Sequence, residues 1–540
     1  HSAFRSRYKK CNERRREHIH MDEMKKNGPG PNPGEDDGPP PIEFMYRGIP
    51  QLDCAPVPES GTMEADVVVV GCGGSGIPAA VSAFENGAKR VVIIEKQKRA
   101  GGNSVMARGL FACESSVLRQ AMIKSDKDEI FTNAMNWHHY TRVNGRVLRA
   151  WINQSGNTIE WLRKRDVEFE VNTTTRMTYD IAPHWHCVKG STMATPMAHL
   201  VEELIARGAQ FFTETMVNAL LTENGAVVGV KATHNGAQFE IHAPSVILAS
   251  GGFLANTEMV KRFFPDYDEE NFGGYKAPNM GESVTLAESV GANLERDIML
   301  IKEGCASSDR APRTLSEFGR EPYLMWVNKK GRRYVDETVG SILQIAINAM
   351  LNQPEKASYV IFDEGTMHRM MDLGMELSKG DNFRGVPIPD LKEQFAKAAA
   401  KAPTECVICD TVEELANWIG CKPEVLQDEL NRYNSYCEHG YDEDFNKPRK
   451  YLAPCHVGPF YGIRHRAIAV DTCGPIRVTE KMEVIDRNWD PIPGLYAAGS
   501  TTAGWQSNDY CGAYIFGGAM SYAINSGRIA GRNAAKCAAK

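Results

Sequence analysis

The sequence predicts an α/β fold, with one parallel sheet whose strands come from both ends of the chain around a large insert. Two observations predict it. Three buried-strand patterns each run into glycine, at Gly71, at Gly251 and at Gly499, and a long stretch of other sequence separates the second from the third. A continuous apolar run bounded by glycines reads as a strand covered on both faces, which is the signature of parallel sheets.

The first unit starts at Asp66. Val67 to Val70 is the strand, and Gly71, Cys72, Gly73, Gly74, Ser75 and Gly76 form a turn. An Ala-rich helix follows to about Asn86, Gly87 ends it, and Arg90 to Ile94 is a second strand closing on Glu95. Gly71 permits the tight turn. Gly73 lets the backbone approach a pyrophosphate, and Gly76 lets helix and strand pack closely. The helix start offers N–H groups and the positive end of its dipole to phosphate. Glu95, 19 residues after Gly76, is placed to accept from ribose hydroxyls. A glycine fingerprint alone is weak evidence. Set between two strands and ending in an acid at this spacing, it points to a Rossmann-like dinucleotide site, against a purely structural glycine turn.

Ser245 to Ala249 is the next strand, entering Ser250, Gly251 and Gly252. Gly494 to Ala498 is the last, entering Gly499 and Ser500, and a helix with small residues on one face is expected from about Phe516 to Lys536. The two flanks of one nucleotide-binding domain therefore lie far apart. The division expected is an arm at 1–60, extended or disordered; a first nucleotide-binding part at 61–298; an inserted α+β capping domain at 299–462; and a second nucleotide-binding part at 463–540. Lys96 leads into Gly101, Gly102, Asn103 and Ser104, a glycine pair with small polar residues. The competing reading of that stretch is a plain loop.

Composition narrows the function. The 540 residues are 42% apolar and 24% charged with net charge −6, so no basic footprint exists for nucleic acid or an acidic membrane surface. No apolar run reaches 18 residues, so no membrane span is expected. The 14 cysteines follow no disulfide frame and are expected as reduced thiols in a cytoplasmic protein. Cys406 and Cys409 have no second pair at zinc-ribbon spacing, so no metal is expected. The basic stretch before Met21 has no apolar segment after its three arginines and is not read as an export signal; Met21 is read as the native start.

These motifs together resemble the FAD-dependent family that includes soluble fumarate reductases, urocanate reductases and 3-ketosteroid dehydrogenases. The resemblance rests on VVVVGCGGSG…VVIIEK, RAGGNS, VILASGGF, the stretch Val327 to Glu337, and IPGLYAAGS, and it spans 64–540. It implies FAD, here without a covalent attachment motif, held by the three glycine junctions and by the segment Gly101 to Ser104. It also implies a substrate held between cap and isoalloxazine ring.

The departures from that family are informative. Its fumarate reductases resemble one another in having a proton-donating Arg four residues after the Asn-Glu pair, where this chain has Ser341. Their carboxylate-gripping His corresponds to Val470, and their second Arg clamp to Tyr510. A buried carboxylate without a cationic partner costs several kcal/mol, so a dicarboxylate substrate is disfavoured. Tyr510 instead resembles the Tyr that 3-ketosteroid dehydrogenases place 11 residues after the last glycine junction, counted from Gly499. That Tyr serves a ketone oxygen or its α-proton. The match is incomplete: those enzymes place a second Tyr at the position of Ser341 and a Gly at that of Tyr514.

The expectation is therefore an oxidoreductase of the CH–CH bond that interconverts a ketone and its enone on an apolar, steroid-like skeleton. Tyr510 and Ser341 are the catalytic candidates. Val470, Trp505, Gln506, Tyr514, His184 and His186 are candidates for the substrate wall, the histidines and Tyr510 each competing with a packed structural role. Two alternatives stay open. One is an aryl acrylate or urocanate reductase, which would need Arg333, Lys189 or Arg464 in the pocket. Another is a flavin electron carrier without organic substrate, against which a cap over the flavin argues. An external electron donor or acceptor is expected in every case.

Overall fold

The computed structural model describes residues 46, 48–172, 184–269, 272–273, 278–296, 299–306, 315, 318–376, 385–507, 509–511 and 514–539. The arm expected before residue 46, Met21 included, lies outside them. Closer to the first strand, Leu52 joins the core and the Ala55 N–H donates to the Phe211 carbonyl at 2.6 Å. That part of the chain is extended and packed onto the sheet.

Three expected strands form where the apolar runs placed them, β1 (Val67–Val70), β2 (Val91–Ile94) and β4 (Val246–Leu248), and β3 (Gln210–Phe212), which the sequence did not single out, joins them. Every residue of β1, β2 and β4 is buried, because helices Gly76–Glu85 and Gly518–Ala538 pack against this sheet and so do the antiparallel strands Thr215–Glu223 and Ala226–His234. Helix α1 (Gly76–Glu85) springs from the glycine turn and ends at Asn86 and Gly87, the latter with φ +104°. Late in the chain come β5 (Met299–Ala306), helix α2 (Leu343–Leu351), β6 (Phe460–Cys473), β7 (Glu483–Ile485), β8 (Pro491–Ala497) and helix α3 (Gly518–Ala538).

The nucleotide sheet runs β7-β8-β4-β1-β2-β3. It is parallel except for β7 against β8, and β8 pairs with β4 through Leu495 and Val246. Strands some 250 residues apart in sequence thus stand side by side, as the glycine junctions predicted. Helix α3 crosses α1 at backbone contact. A Cβ on Gly527 or Gly531 would lie 2.2 or 2.0 Å from the Ser75 or Ala79 carbonyl oxygen.

A second sheet is organised by β6, whose 14 residues pair with strands Phe272–Gly273, Ser358–Asp363 and Cys406–Cys409 and with β5. Its apolar cores include Trp326, Phe362 and Tyr461 on one side and Val327, Leu426 and Tyr433 on the other. The positions expected to hinge the insert, 299 and 462, fall on β5 and β6. These pair antiparallel from Met299↔Cys473 to Ala306↔Arg466, while Gly462 itself stands against Ile361 and Val407. Among the described residues no helix is long and apolar enough to cross a membrane.

Candidate active site

A groove of about 300 Å³ runs along the C-terminal ends of β1, β2 and β4. Gly71, Gly73, Gly74, Ser75, Glu95, Lys96, Gly102, Asn103, Ser104, Ser250, Gly251 and Ser500 all line it. Four other residues of the same motifs stand behind the wall, where an added side chain would collide with a neighbour. A Cβ on Gly76 would sit 1.9 Å from the Gly71 oxygen. On Gly101 it would meet Val105 at 2.5 Å, on Gly252 Asp471 at 2.2 Å, and on Gly499 Ser75 at 2.6 Å. Gly73 is the opposite case: nothing in the protein comes nearer than 3.9 Å, so its bareness serves the groove rather than the packing.

Glu95 lies at the end of β2 with both oxygens engaged by amides. The Cys72 N–H donates to Oε2 and the Gln97 N–H to Oε1, each at 2.8 Å. Burial pushes its carboxyl up, while those amides and Lys96 work the other way. A carboxylate oxygen has room for a second donor, so ribose hydroxyls can still be accepted. Lys96 forms an ion pair with Glu282, at the start of helix Glu282–Ser289. Two buried acceptors on the groove have no hydrogen-bond partner, Glu282 Oε2 and Asn103 Oδ1. Unpaired buried acceptors are costly, and a ligand rich in hydroxyl and N–H donors would satisfy them. The glycine cradle, the helix start and these acceptors fit a flavin dinucleotide.

Two groove residues were given no role from the sequence. Glu282 was signalled only as an acid in the first turn of a helix. Asp471 sits beside Val470, and its carboxyl binds together distant segments: Oδ1 accepts the Thr472 N–H at 2.9 Å, and Ser500, Asn279 and the Gly252 N–H also donate to it. Burial raises its pKa against those four donors.

On the substrate side, Val470 of β6 lines the groove, and its carbonyl accepts from Asn103 Nδ2 at 3.4 Å. Tyr510 is buried one step behind. Its hydroxyl accepts the Ala519 N–H at 2.8 Å, and Ala519, Met520 and Ala523 of α3 are groove residues. Ser341 ends the short turn Glu337–Ser341 and donates to the Thr338 carbonyl at 2.9 Å. Trp505 lies in the core, stacked on Tyr522 at 4.7 Å with its N–H given to the Thr502 carbonyl. Gln506 Oε1 accepts the Cys511 N–H at 2.8 Å, and Tyr514 packs edge-on against Trp137.

His184 and His186 are buried in and beside strand Trp185–Val188. Each pairs with a serine: His184 Nε2 with Ser125 at 2.9 Å, His186 Nε2 with Ser115 at 2.7 Å. Burial pushes His186 down to about 4, so it is neutral at physiological pH. Of the substrate-side candidates, then, the structure brings Val470 to the groove wall and Tyr510 against it. Ser341, Trp505, Gln506, Tyr514, His184 and His186 are not among the groove-lining residues.

The three cations that would have favoured a carboxylate substrate are placed elsewhere. Arg333 is buried in the second region and doubly paired, Nε to Glu337 Oε1 at 2.8 Å and Nη2 to Asp442 Oδ2 at 2.7 Å. Lys447 Nζ adds a contact to Glu337 Oε2 at 3.0 Å. Burial alone would raise the Glu337 carboxyl, but Lys447 and Arg333 hold it below the usual range. Lys189 is on the surface near Glu168. Arg464 is not among the groove residues.

Groove and glycine turns define a dinucleotide-binding flavoenzyme fold. The FAD binding domain family matches residues 66–518, and the chain belongs to it. It is 32% identical over 485 residues to a vinyl phenol reductase of Lactiplantibacillus plantarum, covering 87% of this chain and 96% of that one. Among solved structures, it is similar to the open conformation of a flavocytochrome c3 fumarate reductase, with TM-score 0.67, 23% identity, and 88% and 79% of the two chains covered. It is similar in fold to the 3-ketosteroid-Δ4-(5α)-dehydrogenase of Rhodococcus jostii as well, with TM-score 0.65, 22% identity, and 88% and 97% covered. The chain is an FAD-dependent oxidoreductase acting on carbon–carbon double bonds.

Proposed function

We propose that the substrate is an apolar alkene without a carboxylate, conjugated to an oxygen-bearing group, as in the enone of a steroid-like ketone. The observation that carries this is Val470, an aliphatic side chain on the groove where a carboxylate-binding enzyme would need a cation. The burial of Arg333 between Glu337 and Asp442 supports it too, since that guanidinium is already satisfied. A vinyl phenol is the second candidate. It is favoured by the relative named for that substrate, which is likewise an uncharged alkene.

FAD, held without a covalent link, supplies a hydride to one alkene carbon when bound and reduced. The protein's part is to seat the alkene beside Val470 and to deliver a proton to the neighbouring carbon. Tyr510 serves the substrate oxygen or that proton, and Asn103, whose Oδ1 has no protein partner on the groove, would help to hold the flavin. Residues 61–298 and 463–540 hold the cofactor, and 299–462 close over it, excluding water.

The test is anaerobic reoxidation of the reduced holoenzyme by a panel: androst-4-ene-3,17-dione, 4-vinylphenol, fumarate, urocanate and cinnamate. Oxidation by either of the first two and not by the three carboxylates is expected. Fast oxidation by fumarate or urocanate would overturn the proposal. In Tyr510→Phe, flavin content should persist while the reoxidation rate falls by about a hundredfold, the low end for loss of an acid–base group.

A further inference from the structure

Asp509 is bound to both halves of the molecule. Its Oδ1 accepts the N–H of Tyr510 at 2.9 Å, and its Oδ2 accepts from Asn348 Nδ2 at 2.6 Å. Asn348 belongs to α2, which follows the turn ending at Ser341 in the second region. Tyr510 in turn accepts the Ala519 N–H at the start of α3, on the groove wall. One carboxylate therefore stands between α2 and the residue nearest the chemistry. Hydrogen bonds to a carboxylate are about twice as strong as neutral ones, and the two oxygens of one rigid group cannot move independently. If α2 shifts, Asp509 loses its outer bond and the Tyr510 amide loses a fixed acceptor.

We infer that Asp509 is a positioning residue that couples the seating of 299–462 to the placement of Tyr510. This rests on the proposed roles of Tyr510 and of that segment. With α2 docked, the carboxylate is held at both ends and Tyr510 is fixed against α3. With α2 displaced, Asp509 keeps its bond to the Tyr510 amide but no longer ties that residue to the second region.

The pairing permits a test whose final variant keeps the net charge of the parent. In Asp509→Asn the acceptor for Tyr510 is kept, but an amide NH2 then faces the Asn348 NH2. In Asn348→Asp two carboxylates face each other. The double variant again opposes a donor to an acceptor, with the charge of the parent. The holoenzymes are reduced and reoxidised by whichever panel alkene is active, and separately by ferricyanide, which needs no seated substrate. Each single variant should lose about tenfold in alkene-driven reoxidation, and the double should recover most of it, a coupling within the range for contacting residues. FAD content and the ferricyanide rate should stay at the parent value. Single variants at the parent rate, or a double variant no better than the product of the singles, would overturn the inference.

Hydrogen exchange gives a readout that needs no substrate, and so separates this inference from the choice of alkene. Both single variants should speed exchange in the peptides covering 343–351 and 505–511 together, and the double should slow both. Faster exchange in one peptide without the other would mean the two are not coupled.

Discussion

The nucleotide half and the β6 half hold their parts of the site by different means. In the first, shape comes from missing side chains: Gly71, Gly76, Gly499, Gly527 and Gly531 each stand where a Cβ would run into backbone or a neighbouring side chain. In the second, shape comes from paired side chains. Arg333, Glu337, Asp442 and Lys447 form a buried charge cluster, and Asp509 reaches Asn348 by one hydrogen bond. A turn shaped by close backbone approach tolerates almost no added atom, whatever its charge. A site built from charge pairs tolerates changes of size but not the loss of one partner. The glycine turns at the groove are of the first kind, and the Arg333 cluster, which lies away from it, is of the second.

The largest effect that would test this contrast is Gly76→Val. The added carbon would collide with the Gly71 oxygen, and both atoms are fixed by β1 and α1. No rotamer change relieves a backbone clash, so the cost should exceed the roughly 1–3 kcal/mol of ordinary overpacking. The protein should be recovered without flavin or not folded, judged by the ratio of flavin to protein absorbance. Full flavin content would mean that the turn has slack and that the backbone account is wrong.

Next comes Arg333→Met, which keeps much of the volume and removes the charge. Glu337 and Asp442 lose their shared partner at buried positions, and breaking such a pair costs about 3–5 kcal/mol. Thermal unfolding should shift strongly downward while the flavin spectrum at low temperature stays normal, because the cluster lies away from the groove. Replacing Arg333, Glu337, Asp442 and Lys447 together by apolar residues should recover much of the loss, which Gly76→Val has no means to do.

The smallest effect is a pH slope present in both halves. Burial pushes His138 and His186 down to about 4 on the nucleotide side, and burial with Arg320 nearby pushes His465 to about 3 in the second sheet. The unfolded chain binds these protons below about 6.5, where the folded chain does not. Stability should therefore be flat with respect to these groups above that pH and fall as pH drops from 6.5 toward 4. Each histidine contributes up to about 1.4 kcal/mol per pH unit. Melting temperatures from pH 8 to 5 check the sign; a melting temperature that rises on acidification would contradict it.

How far the sequence carried depends on which kind of site is in question. The strands at 67–70, 91–94 and 246–248, the helix after Gly76 and the last helix stand within a few residues of where the apolar runs and glycines put them. The twelve groove residues found among the motifs follow from the same code. Trp505 was expected on a pocket wall from its aromatic character and its place before Tyr510. It is instead a core residue stacked on Tyr522, a partner 17 positions away that no local pattern announces. His184 and His186 looked like loop histidines and are seated on serines about 60 and 70 residues distant.

By itself, then, the sequence determined the dinucleotide turns, the parallel strands and the need to join chain segments across a long insert. These depend on local rules: which residues tolerate positive φ, which runs must be buried on both faces, and where a helix can begin. Only the tertiary structure decided that Asp471 binds Gly252 and Ser500 together, that Glu282 meets Lys96, and that Asp509 bridges Asn348 and Tyr510. Each of these is a short-range polar contact between residues distant in sequence. Its energy depends on separations of about 3 Å and on burial, and neither is encoded in spacing along the chain.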